Sequence, residues 1–472
     1  MRNFFEKENA FKENILLITD KGEELRYQDL DKYAEKIMEK ISDRCLVFLY
    51  ASNTSGSVMN YLAVLRNKIV PVLLSSKIDK ELSDNLLQLY KPSYIMIPES
   101  ERDDFSAYEE VVCQYGYVVM KTQFEITYPM YEELALLLTT SGSTGSPKLV
   151  RQSYQNIAAN AASIAQYLEL DETERPITTL PMNYTYGLSI INSHVLVGAT
   201  LLVTEKGFLQ KEFWNFFKQQ GATSFGGVPY NYEMLDKLRF TRMELPSLRT
   251  MTQAGGKLSP ELHKKFAEYA QDNNKHFVVM YGQCEATARM AYLPYEKSVE
   301  KYGSMGIAIP GGKFKLIDEA GQEIINSHET GELVYEGENV TLGYAESGKD
   351  LVKKDERLGV LYTGDMAQRD DDGYYYIVGR KKRFLKIYGN RVILDEIERL
   401  VKGAFHYTDC ACAGVDDHMY IFLTDDSISE QVKRYITEKT GLNHVAFQIK
   451  VIPEIPKNDA GKTRYVLLEQ YY

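Results

Sequence analysis

The sequence predicts an α/β chain: a large N-terminal domain of α/β layers with a β-rich subdomain, and a small α+β C-terminal domain. Three observations lead there. Short apolar runs alternate with helical patterns through the first two-thirds of the chain. After about Gly303 the pattern changes to short strands joined by Gly and Asp turns. At Gly379, Arg380, Lys381, Lys382 and Arg383 a basic run breaks the pattern again and leaves roughly 90 residues, the size of a small domain. The expected boundary separates residues 1–379 from 380–472.

Each element has its own reason. Residues 45–50, 70–74, 94–97, 201–204 and 277–280 are short apolar runs and read as buried strands. Residues 58–66 and 156–167 carry helical periodicity. Strands spaced by helices imply parallel sheets. Residues 331–335 and 374–378 are strands of the β-rich part, and 394–402 and 429–439 are helices of the terminal domain.

Composition limits the function. With 44% hydrophobic and 26% charged residues the chain is globular. A net charge of -11 disfavours non-specific nucleic-acid binding, yet allows an anion in a local basic pocket. Cys45, Cys113, Cys284, Cys410 and Cys412 are odd in number and scattered, which implies reduced thiols rather than a disulfide scaffold. Cys410 and Cys412 have no second pair to complete a zinc site. No apolar run approaches the length of a membrane span, and no signal-like segment follows Met1. A cytoplasmic enzyme is the expectation.

The most informative segment follows the apolar run 134–138. It reads Thr139, Thr140, Ser141, Gly142, Ser143, Thr144, Gly145, Ser146, Pro147, Lys148. Small hydroxyl and glycine residues let a backbone approach phosphate oxygens, and Lys148 adds a positive charge. It is not the Walker pattern, because Pro147 precedes the lysine. Taken alone, such a loop also reads as an ordinary turn.

Ended by Pro147 and Lys148, the loop resembles the nucleotide loop of the acyl-adenylate-forming superfamily, which includes acyl-CoA synthetases, peptide-synthetase adenylation domains and luciferases. Further segments resemble that family's motifs in the family's order, from about Gly22 to Lys462. Residues 22–30 are similar to its opening hairpin and helix. The segment Leu180, Pro181, Met182, Asn183, Tyr184, Thr185, Tyr186, Gly187 resembles its acyl-gate motif, with Tyr184 where many members carry His. Gln253, Ala254, Gly255, Gly256 and Lys257 resemble the turn against adenine. Tyr281, Gly282, Gln283, Cys284 and Glu285 resemble Tyr-Gly-x-Thr-Glu, with Cys284 departing from the usual Thr. Tyr362, Thr363, Gly364 and Asp365 look like the ribose-binding region. Arg380, Lys382, Lys386 and Gly389 fall in a hinge-like segment, and Lys462 in a catalytic-lysine loop.

The resemblance implies roles. Lys462, Glu285 and Thr144 would be catalytic, with Glu285 ligating Mg²⁺. Thr140, Ser141, Gly142, Ser143, Gly145, Lys148, Gly255, Gly256, Lys257, Tyr281, Gly282, Gln283, Cys284, Asp365, Ile377, Arg380 and Lys386 would contact ATP. Tyr184, Tyr186, Gly187, Val228, Pro229, Gln253 and Ala254 would line the acyl pocket. Lys382 would be the hinge of a mobile C-terminal domain. The implied reaction is ATP-dependent activation of a carboxylic acid, with transfer to a thiol. CoA is the expected acceptor and a phosphopantetheinylated carrier protein the alternative. Gly187, near where peptide-synthetase domains carry an Asp, argues against a simple α-amino acid. His194, in an apolar stretch outside every motif, reads as structural.

Overall fold

The computed structural model describes residues 11–472 except 42, 126–127, 140–147, 382, 388–389, 406–407 and 458–462; at 384, 386, 390, 391 and 393 it describes the backbone alone. Among the described residues two large sheets form the body. One has nine strands in the order Ile307–Ala308, Ala291–Tyr292, His276–Tyr281, Thr250–Gln253, Ser224–Gly227, Pro176–Ile177, Leu201–Val203, Ile15–Thr19 and Glu24–Arg26. The other has eight: Gly343–Ala345, Leu149–Ser153, Leu134–Thr139, Val70–Ser75, Leu46–Ala51, Tyr94–Pro98, Tyr117–Lys121 and Glu109–Gln114. Both are parallel at the centre, as the alternating pattern predicts, but their edges are antiparallel. The edge strands come from hairpins, which need no crossover helix and so leave no helical pattern to read.

Four helices lie between the two sheets: Tyr27–Lys40, Ser55–Arg66, Tyr154–Tyr167 and Thr185–Leu196. Their apolar residues share one core with Leu17 and Leu201 of the first sheet and Val47 and Leu136 of the second. Ser55–Arg66 is buried on all sides through Leu65, the expected state of a helix apolar all round. Two helices begin earlier than periodicity predicts, because capping sets their starts. Thr54 accepts a hydrogen bond from the Ser57 N–H, and Ser153 Oγ accepts one from the Asn156 N–H at 3.0 Å. Neither cap belongs to the apolar stripe that periodicity detects.

The outer face of the nine-stranded sheet is covered by Lys211–Gln219, Pro229–Lys237 and Pro260–Asp272 over an aromatic core of Phe213, Phe217, Phe225, Tyr232, Phe266 and Phe277. Each such ring, fully removed from water, contributes about 2–3 kcal/mol. Trp214 borders this core and satisfies its indole N–H on the Phe208 carbonyl at 2.7 Å.

The β-rich part is a four-stranded antiparallel sheet of Lys313–Ile317, Gly331–Glu336, Val360–Arg369 and Tyr375–Arg380. Beyond it, a hairpin (Phe384–Ile387, Asn390–Ile393) and a three-stranded sheet (Cys410–Val415, His418–Leu423, Phe447–Val451) pack with helices Leu394–Ala404 and Ser429–Thr440. This smaller C-terminal domain has its own core, centred on Ile397, Val401, Ile421, Val432 and Ile436. All five cysteines are free thiols. Among the described residues no helix is long and apolar enough to cross a membrane.

Candidate active site

The strand His276–Tyr281 ends at Gly282, where the chain folds back on itself. A β-carbon at Gly282 would lie 1.5 Å from the Ala288 carbonyl oxygen, so this position admits no side chain. The fold-back delivers Tyr281, Gln283 and Glu285 in separate directions. Tyr281 donates its hydroxyl to Asp365 Oδ2 at 2.5 Å. Gln283 Nε2 donates to the same oxygen at 2.9 Å and to the Thr363 carbonyl at 3.0 Å. Arg380 Nε lies 3.5 Å from Asp365 Oδ1. Two segments far apart in sequence, one with Tyr281 and Gln283 and the other with Arg380, therefore meet on one carboxylate that is 6% exposed. Burial, and then the negative Asp365 beside it, push the Tyr281 hydroxyl well above its ordinary pKa, so it remains a donor.

Glu285 is presented on the other side of the fold-back. Tyr344, on the edge strand Gly343–Ala345, donates its hydroxyl to Glu285 Oε1 at 2.7 Å. The same ring is approached by two cations. Lys148 Nζ is 3.7 Å from its centroid and the Arg357 guanidinium carbon 4.7 Å. Arg357 Nη1 also donates to the Glu285 carbonyl at 3.0 Å. Glu285 Oε2 has no partner among the described residues, and the residue is half-buried. A lone carboxylate with one free oxygen suits Mg²⁺, which takes one or two protein carboxylates together with phosphates and water. Among the described residues no cluster of three metal-binding side chains occurs.

The hydroxyl and glycine loop connects paired strands, with Thr139 opposite Leu149. Thr140, Ser141, Gly142, Ser143, Thr144 and Gly145 lie outside the described residues, as do Lys382, Gly389, Lys462 and the side chain of Lys386.

The acyl-gate and adenine-turn residues come together. Gly255 has φ of +85°, and a β-carbon there would lie 2.6 Å from the Tyr184 hydroxyl and 3.0 Å from Val228. Gly256 packs the same way against Pro229. Tyr184, Tyr186, Val228 and Ala254 belong to one small apolar cluster with Leu180, Val278 and Met280. Tyr186 shares a hydrogen bond with Thr252 at 2.7 Å, and burial pushes its pKa up to about 12. Gln253 is fully buried; its Nε2 donates to the Gly256 carbonyl, while Oε1 has no partner among the described residues. Gly187 faces the chain rather than the cluster, since a β-carbon there would meet the Pro181 carbonyl oxygen at 2.3 Å. Lys257 donates to the Ile377 carbonyl at 2.8 Å. Cys284 Sγ lies 2.9 Å from Thr185 Oγ1, at the start of the helix Thr185–Leu196. His194 is buried and its Nδ1 donates to the Ile190 carbonyl at 2.8 Å, as befits a structural residue.

Sequence reasoning missed Tyr344, Arg357 and Arg289. Tyr344 and Arg357 sit in no recognised motif and reach Glu285 only through the fold. Arg289 lies four residues beyond Glu285, and its burial carries no signature in a single sequence.

The chain resembles known proteins along its length. A family profile described as AMP-binding enzyme matches residues 4–345. Peroxisomal OPC-8:0-CoA ligase 1 of Arabidopsis thaliana is 28% identical over 350 residues, which cover 70% of this chain and 63% of that protein. 4-Hydroxybutyrate–CoA ligase 1 of Metallosphaera sedula is 27% identical, over 72% of this chain and 62% of that protein. The match thus spans less than two thirds of the length of these two relatives. Among solved structures, ATP-bound MatB from Rhodopseudomonas palustris has a TM-score of 0.81 at 21% identity, covering 100% of this chain and 98% of that one. O-succinylbenzoate coenzyme A synthetase from Bacillus subtilis, in complex with AMP, has a TM-score of 0.80 at 20% identity, covering 99% and 98%. These similarities establish the fold, and the profile spans well over half the sequence: the chain belongs to the AMP-binding enzyme family.

Proposed function

We propose that the chain activates a carboxylic acid with ATP, forming an acyl-adenylate and releasing pyrophosphate, and then transfers the acyl group to CoA. The observation that carries this reading is the convergence of Tyr281, Gln283 and Arg380 on Asp365, with Glu285 and Lys148 gathered on Tyr344. Asp365 has the two acceptor oxygens that a pair of ribose hydroxyls requires. CoA as the acceptor is supported by relatives whose names are those of CoA ligases.

In the first step a carboxylate oxygen of the acid bonds to the α-phosphorus, and the bond from that phosphorus to the bridging oxygen breaks. Pyrophosphate leaves with the electron pair. No general base is needed, because the acid is already ionised at neutral pH. The barrier is the approach of two anions, so positioned positive charge is the main requirement. Lys462 serves there, and Lys148 with the loop of Ser143 and Thr144 holds the departing phosphates. Glu285 would hold Mg²⁺, which would neutralise phosphate charge when bound. Tyr184 and Tyr186 close the acyl pocket. In the second step residues 380–472 turn about Lys382 and carry Lys462 away. The thiol sulfur, losing its proton, bonds to the acyl carbon. The bond from that carbon to the phosphate oxygen breaks, and AMP leaves with the electron pair.

The test is pyrophosphate release from a panel of carboxylic acids, with and without CoA. Acid-dependent release without CoA, and an acyl thioester with it, is the expected result. Release that ignores the acid would sink the reading. Lys462→Ala should lose adenylation by about 100-fold or more while ATP still binds. Wild-type pyrophosphate exchange in that variant would remove Lys462 from its role.

A further inference from the structure

Among the described residues two arginines are 2% exposed or less, Arg151 and Arg289, and they are satisfied in different ways. Arg151 pairs with Glu356 and donates to the carbonyls of Leu342, Tyr344, Lys353 and Lys354. Its charge is neutralised by a carboxylate and its donors are all engaged on one clamp. Arg289 has no carboxylate partner among the described residues. Its Nε donates to Ser189 Oγ at 3.1 Å. Its Nη1 donates to the Tyr167 hydroxyl at 3.1 Å and approaches Met280 Sδ at 3.2 Å. Its Nη2 donates to none of the described residues. The guanidinium carbon lies 5.2 Å from the Tyr186 ring centroid. Among the described residues the buried carboxylates are all committed elsewhere: Glu174 to Arg249, Glu332 to Lys381, Glu398 to Arg383 and Asp365 to Tyr281 and Arg380. A buried guanidinium without a counter-charge is costly, and native proteins retain one where something pairs with it.

Position and strain point the same way. Tyr167, Tyr186 and Met280 all belong to, or pack against, the apolar cluster behind the gate tyrosines. Arg289 thus lies against the cluster that the acyl-adenylation reading assigns to the acid. The chain reaches it through Thr287 at φ of +56° and Ala288 at +113°, conformations that non-glycine residues rarely adopt. Its carbonyl is held by Asn160 Nδ2 at 2.9 Å and by Asn339 Nδ2 at 3.0 Å. The fold therefore accepts local strain and fixes the backbone from two sides to put an unpaired cation there.

We infer that Arg289 is a specificity-determining residue that receives a second anionic group on the acid, so that the preferred substrate is a dicarboxylate. The inference rests on the acyl-adenylation reading and names its substrate class. One carboxylate of the acid reacts at the α-phosphate, and the other becomes the missing partner of Arg289. A monocarboxylate of the same length leaves the cation buried and unpaired, and a site built for a polar group discriminates strongly against an analogue lacking it.

The experiment is acid-dependent pyrophosphate release by the full chain. Each straight-chain or aromatic dicarboxylate is matched with the monocarboxylate of the same skeleton. Wild type should favour the best dicarboxylate over its match by at least about 100-fold in kcat/KM. Arg289→Met should lose most of that ratio through the dicarboxylate alone, and Arg289→Lys should restore part of it. The KM for ATP should stay unchanged, which a general loss of folding would not allow. The wild-type ratio decides the matter even where Arg289→Met does not fold. Parity between mono- and dicarboxylates in wild type, or an unchanged ratio in a folded Arg289→Met, overturns the role of Arg289 and leaves adenylation intact. No release with any acid overturns adenylation itself, and the inference with it.

Discussion

Tyr344 shows how much a single side chain organises. Its ring faces two cations and its hydroxyl orients Glu285. Burial, and then the neighbouring Glu285, raise its pKa, so the hydroxyl stays protonated and keeps donating. Replacing it with phenylalanine retains the ring beneath Lys148 and removes only the hydrogen bond. A charge-assisted bond of this kind is worth roughly 1.5–3 kcal/mol. Tyr344→Phe should therefore lower kcat/KM for adenylation about 10-fold or more at unchanged thermal stability. Steady-state pyrophosphate release together with a melting curve checks both halves; a fully active variant removes Tyr344 from the positioning of Glu285. Neither Tyr344 nor Arg289 was legible in the sequence. Tyr344 matters because an edge strand pairs with Leu149–Ser153, more than 190 residues away in the chain. Arg289 matters because of what does not surround it, and a linear sequence does not record that.

At the scale of elements, the fold-back after His276–Tyr281 is the tightest structure in the site. Two glycines separate two sources of cost. Gly311, at φ of +83°, has open space where a β-carbon would go, so alanine there meets only conformational strain of about 1 kcal/mol. Gly282 meets the Ala288 carbonyl at 1.5 Å, and backbone must move. Gly282→Ala should cost about 3 kcal/mol or more and displace Glu285 along with the strand end. Urea unfolding of the two variants side by side measures the difference, and equal midpoints refute the argument from close approach. The strands and helices that carry the motifs were legible because they are apolar and periodic. The antiparallel edges and the capped helix starts were not, because hairpin pairing and a single hydroxyl leave no periodic trace. The order of the motifs was legible too, whereas their convergence on Asp365 needed the sheets to bring residues 281, 283, 365 and 380 together.

For the whole molecule, two buried histidines link stability to pH. His263 accepts the Gly303 N–H on Nδ1 at 3.0 Å, so protonation there would oppose a donor. His194 donates from Nδ1, and its buried Nε2, which protonation would turn into a donor, has no acceptor among the described residues. Burial lowers both pKa values to about 4. A depressed histidine binds its proton in the unfolded chain first. Stability is thus complete above the unfolded value of about 6.5 and declines as pH falls towards 4, by up to about 3 kcal/mol per histidine. The melting temperature should drop across that window, and His263→Gln should flatten the drop. A melting temperature constant from pH 7 to 5 would exclude this contribution. The joint between the domains carries a different kind of linkage. Arg380 reaches Asp365 with its side chain, while its backbone N–H donates to Asp395 of the terminal domain at 3.0 Å. Next to it Lys381 pairs with Glu332 at 2.6 Å. On the function proposed above, a nucleotide ribose would compete with Arg380 for one carboxylate. Whatever free energy nucleotide binding spends to release that arginine, locking the joint must charge back to nucleotide affinity by the same factor.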